Sequence, residues 1–148
     1  MLFRSVSQSR YDSRMKFLAR ELGIDTKEIG TVGLSDNTFE TDDGEEYLIL
    51  TDEEADERCA DYIRESIWAF NANFLAAHLK DGIDQEVIEL IQSNGKCESN
   101  NSAILSLIDD LDHLIGDAIK CDGRGHFLAG YDGDELELGN DFFAYRTN

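Results

Sequence analysis

The 148-residue chain has no proline, one tryptophan and only three cysteines. Cys59, Cys97 and Cys121 form no CxxC pair and are odd in number. That fits reduced thiols in a cytosol better than a disulfide framework. No apolar run approaches the length needed to cross a membrane. The first residues, "MLFRSVSQSRYDSRMKF", are basic and lack the apolar core of a signal peptide. A cytoplasmic protein is therefore expected, with no membrane partner. No GxGxxG or GxxxxGK[ST] follows a strand pattern, so no standard nucleotide loop is present. No serine sits in a GxSxG elbow. No proline-, glycine- or serine-rich linker divides the chain, and a single domain over 1–148 is expected, with residues 1–10 flexible.

Basic residues are the other scarcity. Thirteen Lys and Arg face 32 Asp and Glu, a net charge of -19. The imbalance is uneven. Residues 1–20 hold five bases and one acid, Asp12, a net of +4; the remainder holds eight bases and 31 acids, a net of -23. Such a field opposes direct contact with nucleic acid and suits a basic partner surface, divalent cations or solubility alone.

Hydrophobic residues still make up 41% of the chain, enough for a packed core. "YDSRMKFLAREL" has helical spacing and ends at Gly23. Asp25 and Glu28 form a capping box for a short second helix, with Ile24 and Ile29 as its staple. "NTFETDDGEEYLILT" reads as a hairpin turning at Asp42, Asp43 and Gly44. Thr51 and Glu54 form a second capping box. The helix it opens carries Ala55, Cys59, Tyr62, Ile63, Ile67, Phe70 and Phe74 on one face, with a restart near Asn71 and Asn73. Asp84 caps a helix that stops at Gly95. A last helix spans about residues 100–120. After it, "GHFLA" and "DFFAYR" are short, aromatic and strand-like. The expected fold is α+β: a mostly helical single domain with two short β-hairpins, at about residues 37–50 and 125–146.

Chemistry-bearing residues gather in the tail, "CDGRGHFLAGYDGDELELGNDFFAYRTN". Its acids miss the spacing of an EF-hand. Cys121 and His126 have no second ligand pair, so no metal site is expected. Glycine-flanked Arg124 offers an anion pocket, although in so acidic a chain a carboxylate is its more natural partner. An alternative ligand or enzymatic site therefore comprises Arg124, His126 and Asp132, with Trp68, Asn71 or Arg146 nearby. Cys59 lies on an apolar helix face and should be inert. His78 follows a helix C-terminus, which suits a histidine by dipole alone. His113 stands among aspartates in "DDLDHL". No catalytic residue and no cofactor follow from these patterns.

The strongest signal is the helix after Thr51. Residues 52–65 carry seven acids and two arginines, a net of -5. Over about 21 Å of helix that is about one net charge per 4 Å, against about one per 3.4 Å along a DNA strand. Glu53, Glu57, Asp61 and Glu65 fall in one i, i+4 row, away from the apolar stripe. With Asp109 and Asp117 they are the candidate partner-binding residues. The segments "EEYLILTDEEADE", "IWAFN", "DGRGHFLAGYDGDE" and "FFAYRTN" resemble small acidic proteins of bacteriophage and prophage genomes. That resemblance spans about residue 36 to the end and implies a mobile-element origin and a bacterial host cytoplasm. It implies no activity. By analogy with phage accessory proteins, the expectation is a non-enzymatic acidic interaction protein. It would be a DNA mimic that inhibits a host-defence or nucleic-acid-binding protein through its basic surface.

Overall fold

The computed structural model describes residues 6–32, 37–95 and 98–148, with side chains from Ser13 onward. Cys97 lies outside the described residues. The fold is α+β, with seven α-helices and one five-stranded antiparallel sheet among the described residues. The chain groups into two compact units. Residues 1–57 and 124–148 form the first, and residues 58–123 form the second.

In the first unit α1 (Val6–Leu22) leads through a 3-10 turn (Thr26–Glu28) to β1 (Ile29–Thr31), β2 (Thr38–Thr41) and β3 (Glu46–Thr51). The Asp25–Glu28 capping box forms in full, but it opens one 3-10 turn instead of a helix, because the next residues pair as β1. The β2–β3 hairpin turns at Asp42–Gly44 as expected. Sheet order is β1-β2-β3-β5-β4. The central β3 is buried along Tyr47–Leu50, which explains its run of apolar residues with no alternation. On one face Leu18 and Ala19 of α1 pack with Ile29, Phe39, Tyr47, Ile49, Leu138, Phe142 and Ala144. On the other, Leu48, Leu50 and Tyr145 meet Ala55 and Ala129.

The tail departs from expectation. "GHFLA" is not a strand: α7 (Arg124–Leu128) occupies it, and the hairpin partner of β5 (Phe142–Arg146) is β4 (Leu136–Gly139). Within β4, Leu138 points inward and Glu137 outward, so the amphipathic pattern lay one segment further on. Asn140 and Asp141 both take positive φ, 52° and 65°, as a tight primed turn requires. β5 pairs antiparallel with β3 from Tyr47↔Arg146 to Thr51↔Phe142.

The second unit is helical. It takes over α2 (Asp52–Ser66) from Arg58 onward, followed by a 3-10 turn (Ile67–Ala69) and α3 (Ala72–Ala76). The expected restart is made by Asn71, whose side chain accepts from the Asn73 N–H. Next come α4 (Gln85–Ser93), α5 (Asn101–Leu105) and α6 (Leu111–Asp122). The single helix expected over 100–120 is therefore two helices. Asp110 caps the second by accepting from the His113 N–H, and Ile108 forms an isolated β-bridge with Leu79. The apolar period continues through the break, where Ile104 of α5, Ile108 between the helices, and Leu114 and Ile115 of α6 are all buried. In α2 itself, Ala55, Cys59 and Ile63 are fully buried, whereas Tyr62 is 51% exposed and does not join that face. Among the described residues no helix is long and apolar enough to cross a membrane.

Candidate functional site

The α2 row stands as its spacing dictates. Glu53, Glu57, Asp61 and Glu65 are all exposed on one continuous helix. The buried residues Ala55, Cys59 and Ile63 fix which face turns outward. Both halves of the Thr51–Glu54 capping box are made, at 2.9 and 3.2 Å. Three acids in the first turn suit the positive end of the helix dipole. Asp61 accepts from Arg64 at 2.9 Å, and both side chains remain exposed. Of the other two candidate partner residues, Asp109 is exposed and Asp117 is turned toward a histidine.

The glycine-rich tail places Arg124 among carboxylates. Its Nε donates to Glu135 at 2.8 Å. One terminal nitrogen donates to Asp52 at 2.8 Å, to the Asp52 carbonyl at 3.0 Å and to Asp56 at 3.1 Å. The guanidinium also lies 4.7 Å from the centre of the Phe143 ring. Burial by itself would lower its pKa, but the hydrogen bonds to Glu135 and Asp52 outweigh that and hold it above the ordinary arginine value. The buried Tyr145 hydroxyl donates to Glu135 as well. Gly125 is close-packed, since a Cβ there would meet the Gly133 carbonyl oxygen at 2.3 Å. An anion at this point would have to displace three carboxylates, so the arrangement acts as a clasp joining the start of α2, α7 and the approach to β4.

The remaining candidates of the tail reading each have surroundings of their own. His126 and Asp132 are exposed, and Asp132 accepts from the Asp134 N–H at 3.0 Å, a local turn. Trp68 and Asn71 belong to the other unit. There the Trp68 N–H donates to Asn101 at 3.1 Å, and Asn71 serves as the α3 cap. Arg146 stacks 3.7 Å from the centre of the Tyr131 ring and pairs with Glu45 at 3.1 Å.

A grouping that spacing did not reveal lies in the second unit. His78 Nε2 is 3.0 Å from one Asp117 oxygen, and His113 Nε2 is 3.9 Å from the other. The two imidazoles meet edge to face at 5.2 Å. His113 and Asp117 share a face of α6 at i, i+4, a signal visible in the sequence. Their third member stands 35 positions upstream of His113 and is joined to them only by folding. Compared with known proteins, the chain matches no protein family, no curated protein and no solved structure.

Proposed function

We propose that the protein is a non-enzymatic acidic interaction protein, and that the α2 row is its docking surface for a basic, nucleic-acid-binding protein. In a phage setting it would act as a DNA mimic against host defence. The observation that carries this reading is the exposed line Glu53, Glu57, Asp61 and Glu65, backed by a buried stripe that keeps it from turning inward. A rigid helix presents these charges at fixed spacing, and the chain's net charge of -19 adds a long-range field that steers a basic partner. Asp109, exposed in the second unit, contributes to the same field.

The test is capture from nuclease-treated bacterial lysate, followed by binding of the captured protein to variants. Glu53→Gln, Glu57→Gln, Asp61→Asn and Glu65→Gln together should weaken binding sharply and flatten its salt dependence. Duplex DNA should compete with the wild-type chain. Asp132→Asn with Asp134→Asn, both exposed and outside the clasp, should leave binding unchanged. Normal binding by the fourfold variant alongside failure of the tail variant would place the docking surface in residues 121–135.

A further inference from the structure

We propose that His78, His113 and Asp117 form a binding site for a divalent transition-metal ion of the zinc class. Among the described residues they are the one group of three metal-ligating side chains whose donor atoms all lie within 4.8 Å of one another. A tetrahedral ion with ligands at about 2.0–2.1 Å separates its donors by about 3.3 Å. His78 Nε2 stands 3.0 Å from one Asp117 oxygen and His113 Nε2 stands 3.9 Å from the other, so with all three donors within 4.8 Å the cluster need contract only modestly around an ion.

The scaffold holds the donors in place before any ion arrives. α6 carries His113 and Asp117 one turn apart on one face. His78 comes from the segment after α3, and main-chain bonds fix that segment to the approach to α6. The Asp109 N–H donates to the His78 carbonyl at 2.8 Å, and the Lys80 N–H donates to the Leu107 carbonyl at 2.9 Å. Between them Leu79 pairs with Ile108. The distance from His78 to α6 is thus set by backbone. The His78 side chain is only 5% exposed and lies against Phe74, with ring centres 5.5 Å apart, which restricts its rotation. The His113 side chain is 69% exposed and has room to close the longest gap by rotating. One pre-set donor and one free to swing in is a workable way to admit an ion.

The donor set selects the class of ion. Two imidazoles and one carboxylate suit zinc, cobalt(II), nickel(II) or iron(II), whereas magnesium and calcium prefer oxygen throughout. Three protein donors leave at least one position for water or an outside ligand, the pattern of an open site. A His78–Asp117 hydrogen bond alone would account for two of the three residues. It leaves the edge-on approach of His113 unexplained.

The test uses the full-length chain stripped with chelator, titrated with zinc by calorimetry in a large excess of magnesium. The magnesium saturates weak, diffuse association with the acidic surface. One zinc per chain is expected. His113→Ala, exposed and therefore safe for folding, should weaken zinc binding at least about ten-fold, and Asp117→Asn comparably. Circular dichroism of the metal-free variants verifies that they fold. Cys121→Ser should bind as the wild type does, and the cobalt(II) spectrum should lack a thiolate charge-transfer band. Absence of zinc binding above the magnesium background would overturn the proposal. So would wild-type affinity in His113→Ala, or loss of binding in Cys121→Ser.

Discussion

Arg14 and Glu54 form a two-pronged ion pair between α1 and the first turn of α2. One terminal nitrogen of Arg14 donates to Oε1 at 2.9 Å and the other to Oε2 at 3.2 Å. The same arginine donates to the Ile49 carbonyl of β3 at 2.6 Å, and the same carboxylate accepts the Thr51 N–H of the capping box. One pair therefore fixes a helix, a strand end and a helix start. The two partners are unequally buried, with side chains 1% and 27% exposed.

That inequality gives a directional expectation. Removing Glu54 strands a buried guanidinium, whereas removing Arg14 leaves a carboxylate that water can reach. Breaking a buried pair from one side costs about 3–5 kcal/mol, and Glu54→Ala should fall there, with the lost cap adding about 1 kcal/mol. Arg14→Met should cost less. Urea unfolding of both variants checks the ranking, and the reverse order would refute the burial argument.

Two neighbouring glycines should differ in kind. Gly123 has φ 83° but open space around it, so Gly123→Ala costs only conformational strain, about 1 kcal/mol. Gly125→Ala drives a Cβ into the Gly133 backbone and should cost about 3 kcal/mol. Thermal melts of the two variants would show equal shifts if the close packing of α7 is wrong.

Arg124→Lys tests the clasp. Lysine keeps the charge but cannot reach Glu135, Asp52 and Asp56 with a planar fork. Since Asp52 and Asp56 are well solvated, the loss should be modest, about 1–2 kcal/mol, and smaller at high salt. A variant as stable as the wild type at low salt would show that the carboxylates need no guanidinium.

Tyr47 should titrate late. Burial first, then its hydrogen bond to Glu45, raise its pKa from 10.0 to about 12. A folded-state value above the unfolded one means the contribution is complete below pH 10 and lost as pH rises toward 12. Stability should fall across that window, and the fall should be shallower in Tyr47→Phe. Phenolate absorbance against pH locates the step, and an unchanged titration curve in Tyr47→Phe would contradict the assignment.

The fourfold change of the α2 row predicts a stability result independent of any partner. Removing three i, i+4 repulsions should stabilise by a few tenths of a kcal/mol each. Loss of the exposed Asp61–Arg64 pair offsets part of that. Clear destabilisation would mean that the carboxylates carry structural contacts and are not a free surface.

Local signals proved readable and non-local ones did not. The capping boxes at Asp25–Glu28 and Thr51–Glu54, the β2–β3 turn and the Asn71 restart involve residues a few positions apart, and all formed. The outward row on α2 followed from the inward stripe. The break at Ser106–Asp110 was hidden because the apolar period carries on across it, while the backbone there bonds to the segment after α3. "GHFLA" read as a strand because aromatic content says nothing about Gly125 lying against Gly133. The histidine cluster needed His78 beside α6, a relation that no spacing rule contains.

The strand order carries a consequence for the route to the native state. β3 and β5 are neighbours, yet Thr51 and Phe142 are separated by about ninety residues, and residues 58–123 lie between them as a compact unit of their own. Closing so long a flexible loop is entropically expensive and slow. Asp56 and Arg124, which flank that inserted unit, are joined directly at 3.1 Å. Once residues 58–123 have collapsed, the loop still to be closed is effectively far shorter. Substitutions that loosen the helical insert should therefore slow the assembly of a sheet to which its described residues contribute no strand.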